Sequence, residues 1–95
     1  MSDAFQQDRE VMRKIELGMD IERFLTGSIG LYVMTRGENE RANALDELAK
    51  VDAEDPKKIR HLQNQVTAID LLNTWLMDAL SEAEEAERQL HEAAD

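Results

Sequence analysis

Residues 56–90 read PKKIRHLQNQVTAIDLLNTWLMDALSEAEEAERQL. Taken in steps of three and four they give Ile59, Leu62, Val66, Ile69, Asn73, Leu76, Leu80, Ala83, Glu87 and Leu90. Eight of these ten positions are apolar, and the alternation never slips. That is a heptad seam on one long helix, with Asn73 and Glu87 as its polar interruptions. From Pro56 to about Ala93 such a helix would run roughly 55 Å at 1.5 Å per residue. A polar residue in mid-seam, here Asn73, fixes register or oligomer number at a cost in stability. The alternative is an Asn that faces water, since heptad phase alone does not prove burial.

Upstream, Asp55 is a good N-cap, and Pro56 suits the first turn of a helix but not its interior. Residues 51–55 therefore read as a turn. A connection this short makes the helices on either side antiparallel neighbours. The preceding helix is expected over about residues 21–51, with Ile21, Phe24, Ser28, Leu31, Thr35, Glu38, Ala42, Leu45 and Ala49 as its row. Leu25, Ile29 and Tyr32 form a second apolar row. Gly37 could divide this helix. The row continues in phase across it, and Arg36 with Glu40 supports continuity as a pair four apart. Gly27, Ser28 and Gly30 sit within an apolar patch, where small residues let another helix approach closely or are simply tolerated.

A shorter first helix is expected over about residues 3–17. Ser2 or Asp3 can cap it, Phe5, Met12, Ile15 and Met19 lie on one face, and Val11 widens the stripe. Gly18 reads as its C-terminal stop, with Asp20 capping a new start. The alternative is one helix running through Gly18. Beside the main seam of the third helix lie Leu72, Ala79, Ala86 and Ala93, with Ala68 and Trp75 beyond them. One antiparallel partner would not cover so wide a face. A further helix is expected there, either the chain's own first helix or a neighbouring subunit's.

The expected fold class is therefore all-α. It is a long antiparallel hairpin with a shorter N-terminal helix, one domain over 1–95, assembled as an oligomeric bundle. Composition agrees. Of 95 residues 42% are hydrophobic and 34% charged, with one Pro and four Gly. A chain this small buries only about 60–65% of its unfolded surface, so copies of itself are an attractive cover for the rest.

The net charge of −10 repels phosphate backbones and argues against direct nucleic-acid binding. Asp78, Glu82, Glu84, Glu85, Glu87, Glu92 and Asp95 face only Arg88 as a cation in the last stretch. Acids at a helix C-terminus oppose the macrodipole, so this end frays unless something holds it. The run reads as a solvated helix end or as an acidic docking surface formed by Glu82, Glu84, Glu85 and Glu87. Met1 to Glu10 is too polar for a signal peptide, and the run from Phe24 to Thr35 is too short to span a bilayer. No membrane partner is expected.

Phe24-Leu25, Ser28-Ile29-Gly30-Leu31-Tyr32, Ala44-Leu45-Leu48, Val51 through Pro56, Leu62-Gln63-Asn64, Trp75-Leu76 and Ala79-Leu80 occur in an order that resembles small, uncharacterised helical proteins of tailed phages and prophages. The resemblance runs from Phe24 to Leu80, about 60% of the 95 residues. It implies a phage setting, in the bacterial cytoplasm or on a virion. It carries over no active site.

Chemistry finds little support in the residues. There is no cysteine, and Gly27, Gly30 and Gly37 do not have phosphate-loop spacing. His61 and His91 are preceded three residues earlier by Lys58 and Arg88, not by the Glu of a di-metal bundle. Glu87 and His91, four apart, are the one pair that could share a metal. No catalytic residue, metal or cofactor is expected. Lys57, Lys58, Arg60 and His61 form the one basic cluster. The interface candidates are Gly27, Gly30, Tyr32, Leu72, Asn73, Trp75, Leu76 and Leu80. Two functions compete: a non-enzymatic assembly or adaptor module acting through protein contacts, first of all with itself, and an acidic inhibitor that blocks a host nucleic-acid-binding or defence protein.

Overall fold

A computed structural model describes the backbone of residues 2–94 and the side chains of residues 6–93. The expected cap at Ser2 or Asp3 and the packing of Phe5 lie outside the described side chains. Three helices follow one another, α1 (Ser2–Thr26), α2 (Ser28–Lys50) and α3 (Pro56–Ala94), and no strand occurs among the described residues. The all-α class and the α2–α3 hairpin are as the sequence indicates. The boundary between the first two helices is not.

The hairpin turn is built as its residues dictate. The Asp55 Oδ1 accepts the Lys58 amide at 3.2 Å, capping α3, and the Ile59 amide opens the helical ladder on the Asp55 carbonyl. Asp52 accepts the Glu54 amide on its side chain and the Asp55 amide on its backbone carbonyl, closing the turn.

The helix does not stop at Gly18. That residue is buried inside α1, and a Cβ placed on it would lie 2.4 Å from the Ala83 Cβ of α3. At Gly18 α1 and α3 pack closely, and lost helix propensity there is exchanged for that contact. Asp20 caps nothing. It lies within α1 and pairs with Arg23 at 3.0 Å.

The break comes at Gly27, whose backbone is extended (φ −83°, ψ 167°). The Thr26 hydroxyl donates to the Glu22 carbonyl at 2.9 Å, competing with the backbone ladder in the last turn of α1. The ladder restarts when the Leu31 amide reaches the Gly27 carbonyl. A Cβ on Gly30 would fall 1.5 Å from the Phe24 carbonyl oxygen. Gly30 therefore permits close approach to the backbone of α1's own last turn, forming a sharp corner, rather than to a separate helix. Gly37 lies within an unbroken α2.

α1 and α2 lie in succession along α3, both antiparallel to it. α2 covers the first half of α3, with Gly37 beside Ile69 and Arg41 paired to Asp70. α1 covers the second half, with Gly18 against Ala83 and Val11 near Leu90. The chain's own first helix thus replaces α2 as partner along α3 and adds no third layer over the hairpin. The result is a rod, 62 × 29 × 19 Å. Its radius of gyration is 19.2 Å, where a compact chain of this length has about 12 Å.

On α3 the seam holds from Ile59 to Ala83, every member buried or half-buried. It then shifts one position, to Ala86, leaving Glu87 and Leu90 exposed, because α1 lies to one side of the line followed by α2. On α2 the inward row is Gly30, Met34, Gly37, Arg41, Ala44 and Leu48, with half-buried Val51 just past its end. The expected row is out of phase: Ser28, Leu31, Thr35, Glu38, Ala42, Leu45 and Ala49 are all exposed. Gly37 brings the backbone of α2 close to Ile69, where a bulkier residue would hold it away.

Candidate interaction surface

The enclosed core is thin. Its buried hydrophobic residues, among those described, are Ile21, Ala44, Leu62, Ala83 and Ala86. Many large apolar side chains remain in the open. Where the chain turns the corner at Gly27, α1, α2 and α3 meet without filling the space between them. Ile21 and Phe24 from α1, Val33 and Met34 from α2, and Leu72 and Leu76 from α3 wall an apolar groove of about 310 Å³. Trp75, three residues on from Leu72 along α3, does not line the groove and is 63% exposed. Ile29, four residues before Val33 on α2, is 73% exposed.

Of the sequence's interface candidates, Leu72 and Leu76 line this groove, and Trp75 is exposed outside its lining. Gly27 and Gly30 form the corner that creates the groove. Leu80 and Asn73 belong to the inner seam, both half-buried. Asn73 makes no side-chain hydrogen bond within the described residues. Tyr32 is apart from the groove. It is 62% exposed on the outer side of α2, where its hydroxyl accepts from Arg36 at 3.0 Å. That hydrogen bond first, then the charges of Tyr32 and Glu40, raise the Arg36 guanidinium above its ordinary pKa. Ile21, Phe24, Val33 and Met34 complete the site without having been singled out for it. Their role depends on the corner, which no apolar period announces.

The polar element fixing α2 on α3 is Arg41 with Asp70. The guanidinium Nε donates to Oδ1 at 2.7 Å and a terminal nitrogen to Oδ2 at 3.4 Å. This forked geometry selects one register. The Asp70 carboxylate, by hydrogen bond and then by charge, raises the pKa of Arg41.

Glu82, Glu84, Glu85 and Glu87 are all exposed, and Arg88 pairs with Glu85. They do not sit on a free helix end. Ala83 and Ala86, between them in sequence, are buried, so α1 holds this acidic stretch in place. A polar cleft of about 490 Å³ between Asp8, Glu10, Lys14 and Gln89 marks where the two helices part near their tips. Lys57, Lys58, Arg60 and His61 are exposed at the opposite end of α3. Among the described residues no three metal-ligating side chains converge, and no helix is long and apolar enough to cross a membrane. In comparisons with known proteins, no family model matches the chain, and no curated protein or solved structure shows similarity to it.

Proposed function

We propose that the chain is a non-enzymatic helical module that acts through protein–protein contacts, as a self-associating assembly or adaptor component in a phage or prophage setting. One observation carries this reading. The chain leaves 7736 Å² accessible, where a compact protein of its mass exposes roughly 5,600 Å². The difference, about 2,100 Å², exceeds twice what one partner buries in a standard stable interface. It includes large apolar side chains gathered at a groove, the signature of a contact surface. The phage setting rests on the resemblance of Phe24–Leu80. The assignment as a non-enzyme rests on the absence of cysteine and on two histidines at opposite ends of α3. The test is molar mass in solution, and a stable two-state monomer at micromolar concentration contradicts the reading.

A second reading, an acidic inhibitor of a host nucleic-acid-binding or defence protein, is supported by the ordered display of Glu82, Glu84, Glu85 and Glu87. Capture of host proteins by the chain, repeated with all four changed to Gln, separates the two. Loss of a captured basic partner supports the inhibitor, and unchanged capture removes the charge argument.

A further inference from the structure

We infer that the outward face of α3 is the surface on which this chain associates with itself, two copies lying antiparallel with Leu71 on the two-fold axis between them. This rests on the self-association proposed above and names the surface that performs it.

The seam from Ile59 to Ala83 turns one side of α3 toward α1 and α2. On the opposite side runs a second row in steps of three and four. Leu71 and Trp75 stand at its centre, 45% and 63% exposed, with Leu72 at its edge, 41% exposed. About Leu71 the spacing of this row is mirrored while its charge inverts. Eleven residues before Leu71 is Arg60, and eleven after it is Glu82. Fourteen before it is Lys57, and fourteen after it is Glu85. All four of these charged side chains are exposed.

A two-fold axis at Leu71, perpendicular to α3, exchanges equal distances before and after it. It sets Lys57 of one copy opposite Glu85 of the other, and Arg60 opposite Glu82. Each contact is made twice, as in the isologous closure of most dimers. A parallel pairing would instead set Lys57 against Lys57 and Glu85 against Glu85. Matched opposite charges select both a partner and its direction. Here they select a second copy of this chain, although the net charge of −10 opposes association elsewhere. Within four residues of Leu71 the row carries no charge, so its centre closes on Thr67, Leu71 and Trp75 without stranding an ion. Trp75 is the type of residue that anchors such a contact.

The order of charge also runs against the dipole of α3. Lys57 and Lys58 stand in its first turn, which carries no acid, and cations at a helix N-terminus are unfavourable. Nothing in the chain offsets this. Among the described residues Lys57, Arg60 and Glu82 have no ion-pair partner, and Glu85 reaches only Arg88 of its own helix. An antiparallel copy supplies the acids that the first turn lacks.

Charge exchange in the intact chain tests the pairing, with self-association read as molar mass over a dilution series. Lys57→Glu with Arg60→Glu, and separately Glu82→Lys with Glu85→Lys, set like charges together at four places. Each double variant is expected to weaken self-association by about 10-fold or more. The second moves the net charge from −10 to −6, two units per substitution, so general repulsion alone would strengthen association instead. All four substitutions in one chain keep the net charge at −10 and are expected to restore association. The chain has no cysteine, so Leu71→Cys gives a second readout. It is expected to link two copies by a disulfide under mild oxidation. Glu85→Cys, roughly 21 Å from the axis along the helix, is expected not to link. Every substituted position is exposed, and circular dichroism checks that each variant remains helical. Self-association that survives both double variants, that the four-fold exchange does not restore, or that gives no link through Leu71→Cys overturns this inference and leaves the assembly reading standing. A chain that is monomeric throughout overturns both.

Discussion

A methyl group added at Gly18, Gly30 or Gly37 enters three different environments. At Gly37 the nearest atom to the new Cβ is the Ile69 Cγ2 at 3.8 Å, an ordinary contact. Gly37→Ala is therefore expected to stabilise the fold by about 0.5–1 kcal/mol through helix propensity. At Gly18 the same propensity gain is opposed by overlap with Ala83, 2.4 Å away. Overpacking costs about 1–3 kcal/mol, so Gly18→Ala is expected to destabilise, with Ala83→Gly restoring much of the loss. At Gly30 the obstacle is the Phe24 carbonyl. Backbone cannot move aside as a side chain can, so Gly30→Ala is expected to be the most damaging of the three. Urea unfolding of the variants checks both sign and order. Three equal effects would remove the geometric explanation. Composition alone could not sort these residues. A helical glycine reads as a stop or as a crossing point depending on its neighbour, and the neighbour of Gly18 lies sixty-five positions further along the chain.

At the level of elements, α3 was legible because bulky apolar residues occupy its inward row in strict period. α2 was not. Its inward row interleaves Met34 and Leu48 with Gly30, Gly37, Arg41 and Ala44, while Leu31 and Leu45 give an equally regular row on the outside. Only the closeness of α3 chooses between them. The groove was half legible for the same reason: Leu76 lies on the seam and Leu72 just beyond it, but the walls from α1 and α2 exist only because the chain turns at Gly27. Register between α2 and α3 is carried by Arg41–Asp70, both members half-exposed. Charge reversal at either residue is expected to lower the melting temperature. The exchanged pair, Arg41→Asp with Asp70→Arg, is expected to recover part of it, and rising salt to shrink the difference. Additive losses in the double variant would show that the pair is not coupled. The raised pKa of Arg41 means that its contribution is complete below the guanidinium's unfolded value and lost only above the folded one. From the arginine side the pair therefore adds no pH dependence near neutrality.

For the whole molecule, the decisive feature is how little of it lies inside. Two helices end to end against a third make a rod with a core one helix pair thick, and among the described residues three of the five buried hydrophobic ones are alanines. The wide apolar face of α3 was visible in the sequence. The helix expected to lie over it instead serves as the second half of the hairpin's other arm. Leu72 and Trp75 are left uncovered, and a second chain is the proposed cover. Sedimentation equilibrium of the intact chain from nanomolar to high micromolar concentration tests this self-association most directly. The expected result is a mass rising from 10.9 kDa to at least twice that value with a reversible midpoint. A single species of 10.9 kDa across the whole range, folded and unfolding in one step, would contradict it.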